Sequence, residues 1–180
     1  SLVVSGFMLE SRHGKGLTSL IAFGTQFQER QLPAVQDAAP VVTYGSGYDG
    51  QFYAQIALDP LLRNPAMEQA LDDPGYRARR VLFSWTAWLL GAGQPAWILR
   101  VYALQGVIAW FVLAWMLLRW FPPGQGRAVA GWCACLLASG LLFPVLRALV
   151  DGPTLVLVAW SVVALERNRP WAAAGILGLV

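Results

Sequence analysis

Apolar positions gather in the second half of this chain. Arg100 and Arg119 bracket an uncharged run of 18 residues, and Arg127 and Arg147 bracket a second of 19. A third uncharged run, 152–165, has 14 residues, and a fourth opens at Trp171. With Trp97, Ile98 and Leu99 added, the first approaches the ~20 residues a helix needs to cross ~30 Å of hydrocarbon. The pattern predicts transmembrane segments over 96–119, 128–149, 153–166 and 171–180, the third marginal in length and the last incomplete. Residues 81–93 are also uncharged, but Gly91, Gly93 and Pro95 interrupt them after about 18 Å of helix. A juxtamembrane helix over 81–92 is expected there rather than a span, with Trp85 and Trp88 at headgroup depth.

Residues 9–95 read as one long polar loop. Turn signals stand at 13–16, Pro33, 45–47 and 72–75, and short helices are predicted near 52–62 and 67–71. The chain opens on Ser1-Leu2-Val3-Val4 without an initiator Met and closes in an apolar run. That predicts a piece of a longer protein, with 1–8 the end of a first transmembrane helix. The whole, 1–180, is expected to be one truncated membrane domain: an all-α polytopic bundle with a long first extracytoplasmic loop containing short juxtamembrane helices.

Composition narrows the class in the same direction. The chain is 57% hydrophobic but only 13% charged, against about 25% charged for soluble domains. A free-standing soluble globule, a disordered chain and a disulfide scaffold are excluded on that basis. Nine Trp residues suit a membrane–water interface. Cys133 and Cys135, two apart in an apolar run, read as packing residues, Ala130, Ala134 and Ala138 as a small-residue packing ridge, and His13 as structural or solvated.

Charge then gives a topology. Residues 1–80 hold seven Lys/Arg and eight Asp/Glu, and 81–180 hold six Arg and two acids. The arginines punctuate apolar runs instead of forming a stripe, so a nucleic-acid partner is not expected. The short loops 119–127 and 166–170 are flanked by Arg and fall on one side of the bundle. The positive-inside rule makes that side cytoplasmic and sets 1–80 and the 147–153 connection on the opposite face.

That face collects the candidate chemistry. In Tyr44-Gly45-Ser46-Gly47-Tyr48-Asp49-Gly50-Gln51-Phe52-Tyr53, a carboxylate stands between glycines and aromatic rings able to stack on a sugar or a lipid head. The competing reading of Asp49 is an Asx turn capping the helix that follows. Asp59-Pro60 and Asp72-Asp73-Pro74 read as caps or turns. Arg77, Arg79 and Arg80 precede the apolar 81 run, where guanidinium forks meet phosphate oxygens, or else merely anchor the chain at the interface. Asp151 lies at the junction of two spans, where an unpaired acid costs ~2.5–3.5 kcal/mol; its structural alternative is a pair with Arg147 plus a helix cap.

With these residues in view, the chain resembles the GT-C superfamily of polytopic glycosyltransferases. The likeness is to bacterial proteins related to protein mannosyltransferases and aminoarabinose transferases, and to a group implicated in cell-surface glycopolymer formation. Gly47-Tyr48-Asp49-Gly50-Gln51-Phe52-Tyr53 with Ala57-Leu58-Asp59-Pro60 resembles the acidic motif of the first extracytoplasmic loop. Arg79-Arg80-Val81-Leu82 through Trp88-Leu89-Leu90-Gly91 resembles its juxtamembrane helix, with Leu99-Arg100-Val101 like the start of the second span. Leu149-Val150-Asp151-Gly152-Pro153-Thr154-Leu155 resembles the Asp-containing turn between the third and fourth spans.

The resemblance implies sugar transfer from a polyprenyl-phosphate donor to a cell-envelope glycan, lipid or protein. It places the protein in the bacterial inner membrane as a multi-pass protein, its long loop facing the periplasm or exterior. Asp49 would be the general base and Asp151 would support the site, while Tyr48, Gln51, Tyr53, Arg77, Arg79 and Arg80 would bind substrate. The paired acids of many family members are absent, since Asp49 is followed by Gly50. A divalent metal is therefore left open and no other cofactor is implied. The 180 residues alone are expected to be inactive. The alternative is a non-catalytic membrane subunit or transporter component of a surface-polysaccharide assembly system.

Overall fold

The computed structural model describes residues 16–38 and 45–179. The expected first transmembrane segment at 1–8, His13 and Tyr44 lie outside the described residues. Within them the protein is all-helical and has no strand. The α-helices are α1 (Pro33–Asp37), α2 (Gly50–Leu58), α3 (Met67–Ala70), α4 (Pro74–Arg77), α5 (Leu82–Leu90), α6 (Pro95–Leu117), α7 (Gly126–Leu137), α8 (Ser139–Leu146), α9 (Asp151–Glu166) and α10 (Pro170–Leu177), with short 3₁₀ turns between the early ones. Proline stands in the first turn of α1, α4, α6 and α10. There its missing N–H has no partner to lose and its fixed φ suits the helix.

Among the described residues, α6 is the one single helix long and apolar enough to cross a membrane. Its 23 residues reach about 34 Å. The expected second span is broken: α7 and α8 meet at an angle of 43° and together make a second crossing only as one bent span. The break falls at Ala138, which is extended (ψ 138), and the N–H groups of Leu141 and Leu142 start a new ladder on its carbonyl. Ser139-Gly140 follows, a pairing that commonly accompanies helix kinks. The 16 residues of α9 reach only about 24 Å, and α5 has nine residues, a short helix as its glycines predict.

The helices alternate in direction, and their contacts give the register. The Trp132 indole donates to the Ala114 carbonyl, Trp110 donates to Leu136, Gly106 abuts the backbone of Val145, and the Tyr102 hydroxyl donates to Ala148. Partners of α6 thus descend as α7–α8 ascends. α9 then runs beside α6 in the same sense, so both present their N-termini at one end and their C-termini at the other. At the far end Arg119 and Trp120 both donate to Glu166, at 2.6 and 2.7 Å. The expected ridge of Ala130, Ala134 and Ala138 faces outward. Trp132 and Gly131, which abuts the Phe121 ring, turn the other side of α7 inward.

Residues 16–90 build a dry core of their own on the N-terminal half of α6. Ile21, Phe23, Val35, Ile56 and Leu99 are fully buried within it. α2 runs through its centre with eight of nine residues buried. Two buried glutamines on α2 tie the surrounding chain to it. Gln51 accepts the Gly24 N–H at 2.8 Å, while Gln55 accepts the Leu32 N–H and donates to the Ala70 carbonyl. Each bond satisfies a backbone group whose burial without a partner would cost ~1–3 kcal/mol. The second half uses apolar residues the opposite way: Phe111, Trp115, Trp160, Leu165 and Trp171 all point outward.

Candidate functional site

The site assembles around Arg77. The Asp73 carboxylate caps α4 by accepting the Tyr76 N–H at 2.9 Å, and Pro74 starts the helix, so one turn later Arg77 projects back over α2. The residue is almost fully buried, 4% exposed. Its guanidinium donates Nε and Nη2 to Asp72 at 2.9 and 2.6 Å, and Nη1 and Nη2 to Asp49 at 2.9 and 3.1 Å. The rings of Phe52, Tyr53 and Tyr76 lie 4.8–5.4 Å from its charge centre. Two bidentate forks on one guanidinium fix both carboxylates in plane as well as in distance.

The hydrogen bond from Arg77 holds the Asp72 carboxyl below its ordinary value of 3.8, while Asp72 and then Asp49 raise the guanidinium's value further. A carboxyl depressed in the folded state stabilises the fold above its unfolded value, and that stabilisation fades as pH falls through the folded value. Thermal unfolding followed down a pH series should therefore hold level from neutrality to about pH 4 and then drop, with a shallower drop in Asp72→Asn. An identical acid limb in both proteins would contradict the pairing.

Asp49 occupies the N-cap position of α2, yet its side chain caps nothing there. It reaches Arg77 instead and remains 56% exposed. The next residue explains how the site meets the helices. Gly50 lies against the backbone of Arg147 and Ala148, so closely that a Cβ there would overlap the Arg147 carbonyl and stand 2.9 Å from that of Ala148. Ala148 is in the left-handed region (φ 47), which turns its carbonyl to accept the Tyr102 hydroxyl at 3.0 Å. The Tyr48 ring meets Phe143 edge-on at 5.0 Å. Because both contacts at Gly50 are backbone, Gly50→Ala should destabilise the fold by about 1–3 kcal/mol, read as a lowered unfolding temperature. An unchanged midpoint would mean that the α2 contact gives way freely.

Three residues beyond Arg77, Arg80 bonds Asp151 at 3.3 Å, with both side chains about half exposed. Asp49 and Asp151 therefore share the end of the molecule where α6 and α9 begin. Tyr48 is exposed beside them, and Arg79 is exposed with no partner among the described residues.

Three of the expected substrate-binding residues sit differently. Gln51 and Tyr53 are 1% and 3% exposed. They face inward because α2 is buried on all sides, and Gln51 is engaged by Gly24. Arg77 points at two carboxylates, which leaves its fork closed to a phosphate. The cationic cluster is thereby largely neutralised, with Arg79 as its open charge. Asp59 accepts the Asn64 N–H at 2.7 Å in a turn. Asp72 is the residue sequence reasoning passed over. Its signal was the acid five residues before an arginine, absorbed by the turn reading of Asp72-Asp73-Pro74.

A divalent metal does not fit this arrangement. The oxygens of Asp49 and Asp72 face a guanidinium, and no group of three or more His, Cys, Asp or Glu comes together among the described residues. What the site offers is two half-exposed carboxylates, one open arginine and one exposed tyrosine at a helix-bundle end. No family model, curated protein or solved structure matches the chain.

Proposed function

We propose that the chain is part of an integral-membrane glycosyltransferase that moves a sugar from a polyprenyl-phosphate donor to a cell-envelope acceptor. The membrane reading is supported by α6, by the bent α7–α8 pair and by the outward apolar residues from Phe111 to Trp171. Large exposed apolar surface on a protein with a separate dry core fits a lipid solvent. On this reading α6, α7–α8 and α9 pass back and forth through the bilayer, α10 enters it, and the short, Arg-rich loops face the cytoplasm.

One observation carries the catalytic reading: a single short segment, 77–80, ties Asp49 through Arg77 and Asp151 through Arg80 to the same end of the bundle. An ionised carboxylate has about four lone-pair sites. Arg77 takes two of those on Asp49, leaving the outward ones for an acceptor hydroxyl. The Arg80–Asp151 pair is long and solvated, and exposed pairs of this kind contribute ~0–1 kcal/mol. Exchange of Asp151 for a donor phosphate at Arg80, with Arg79 beside it, therefore costs little. The full-length protein tests this in membranes supplied with a polyprenyl-phosphate sugar. Transfer should be lost in Asp49→Asn at normal expression. Full transfer in that variant would leave the non-catalytic assembly subunit as the reading.

A further inference from the structure

The end of the bundle away from the site carries a second feature, a cleft of about 560 Å³ between the C-terminal turns of α6 and α9. Its wall is formed by Trp115 and Met116 of α6 and Trp160 and Val163 of α9, and its rim by Arg119 and Arg167. Both tryptophans are exposed, at 69% and 48%. Trp115 precedes Arg119 by one helical turn, about 6 Å along the axis. The cleft thus sets an apolar aromatic floor one turn below a pair of guanidiniums.

Those guanidiniums are open to a ligand. Glu166 takes the Nε–H of Arg119 and the indole N–H of Trp120, and among the described residues no carboxylate accepts a hydrogen bond from the terminal nitrogens of Arg119. The Arg167 side chain makes no hydrogen bond or contact ion pair among the described residues, and its charge acts on Glu166 only through space. Neither side chain is needed as a helix cap, because the N–H groups of residues 118–121 and 167–169 already satisfy the last carbonyls of α6 and α9. This end holds Arg119, Arg127, Arg167 and Arg169 against Glu166, a net +3 from four cations and one anion.

We infer that this cleft binds an anionic phospholipid of the surrounding bilayer, its phosphate on Arg119 and Arg167 and its glycerol and first methylenes on Trp115 and Trp160. The inference rests on the membrane reading but not on the glycosyltransferase site, which lies at the opposite ends of α6 and α9. Charge complementarity selects the occupant. A second apolar helix would bury two guanidiniums with only the Glu166 carboxylate between them, whereas a lipid phosphate lies at the height where the arginines end and adds the missing charge. The cytoplasmic leaflet, on which the positive-inside assignment places this end, is also the anionic one.

The test uses the protein in phosphatidylcholine vesicles doped with brominated phosphatidylglycerol or, at equal bromine content, brominated phosphatidylcholine. Bromine quenches nearby Trp fluorescence. Quenching should be stronger from phosphatidylglycerol, and Trp115→Phe/Trp160→Phe should abolish the difference. Arg167→Gln, which breaks no side-chain hydrogen bond among the described residues, should reduce the preference about fivefold, while Asp49→Asn should leave it intact. Equal quenching by the two lipids would overturn the inference. So would loss of the preference on adding inorganic phosphate, which would mark a free-anion site, or protection of the tryptophans by a second copy of the chain. Failure to float with vesicles would overturn the membrane reading together with this one. Loss of lipid preference with retained sugar transfer would overturn this one alone.

Discussion

Arg77→Met should be the most destabilising single change in this protein, at about 2–4 kcal/mol. Removing one member of a fully buried ion pair costs ~3–5 kcal/mol, because the charge left behind is desolvated. Here the figure is lower, since Asp49 and Asp72 are 56% and 39% exposed and can take up water. Against that, the change also sets two carboxylates facing each other with no cation between them, and it empties a space lined by three aromatic rings. Arg77→Lys should fall between the two, for it restores charge without the planar fork. Adding Asp49→Asn and Asp72→Asn to Arg77→Met should recover part of the loss by removing the repulsion. Unfolding temperature and denaturation midpoint in mild detergent measure all four proteins. A midpoint unchanged in Arg77→Met would show that the cluster does not hold the 72–80 segment on α2.

The second large effect concerns rate. In the full-length protein Asp49→Asn should lower sugar transfer by about 10²–10⁴, the range a positioned general base supplies. The comparison that gives this meaning is Asp72→Asn. Both acids hold the same guanidinium, so their amides should cost similar stability, about 1–2 kcal/mol each. Asp49 is the acid at the mouth of the site beside Tyr48, whereas Asp72 lies on the turn behind Arg77. On the catalytic reading only Asp49→Asn abolishes transfer, while Asp72→Asn retains most of it. Equal losses in the two would reduce Asp49 to a structural partner of Arg77 and remove the base from the proposal.

What could be read from the chain follows from the range of the interactions involved. α6 is legible because nothing charged lies between Arg100, in its second turn, and Arg119, two residues past its last. The α7–α8 pair read as one run because hydropathy carries no information about the ladder. Its break needs Ala138 to be extended, and only Ser139-Gly140 hints at that. The gathering of Asp49, the arginines and Asp151 at one end is what counting apolar runs leads one to expect, a local operation repeated. Which of those side chains face a ligand depends instead on contacts across long separations. Arg77 meets Asp49 28 residues away, and Gln51 meets Gly24 27 residues away. Neither separation leaves a mark in the spacing. For the same reason Gln51 and Tyr53 read as ligand-facing when α2 is in fact enclosed.

The touching backbones at Gly50 and 147–148 also bear on how such a site can diverge. The atoms nearest Gly50 are all backbone, so how closely the first turn of α2 can approach the turn before α9 is limited by peptide groups. Substitutions can change which groups surround Asp49 and Asp151, and so what the pair accepts. A closer approach of the two backbones is closed to any exchange of side chains and needs whole helices to move.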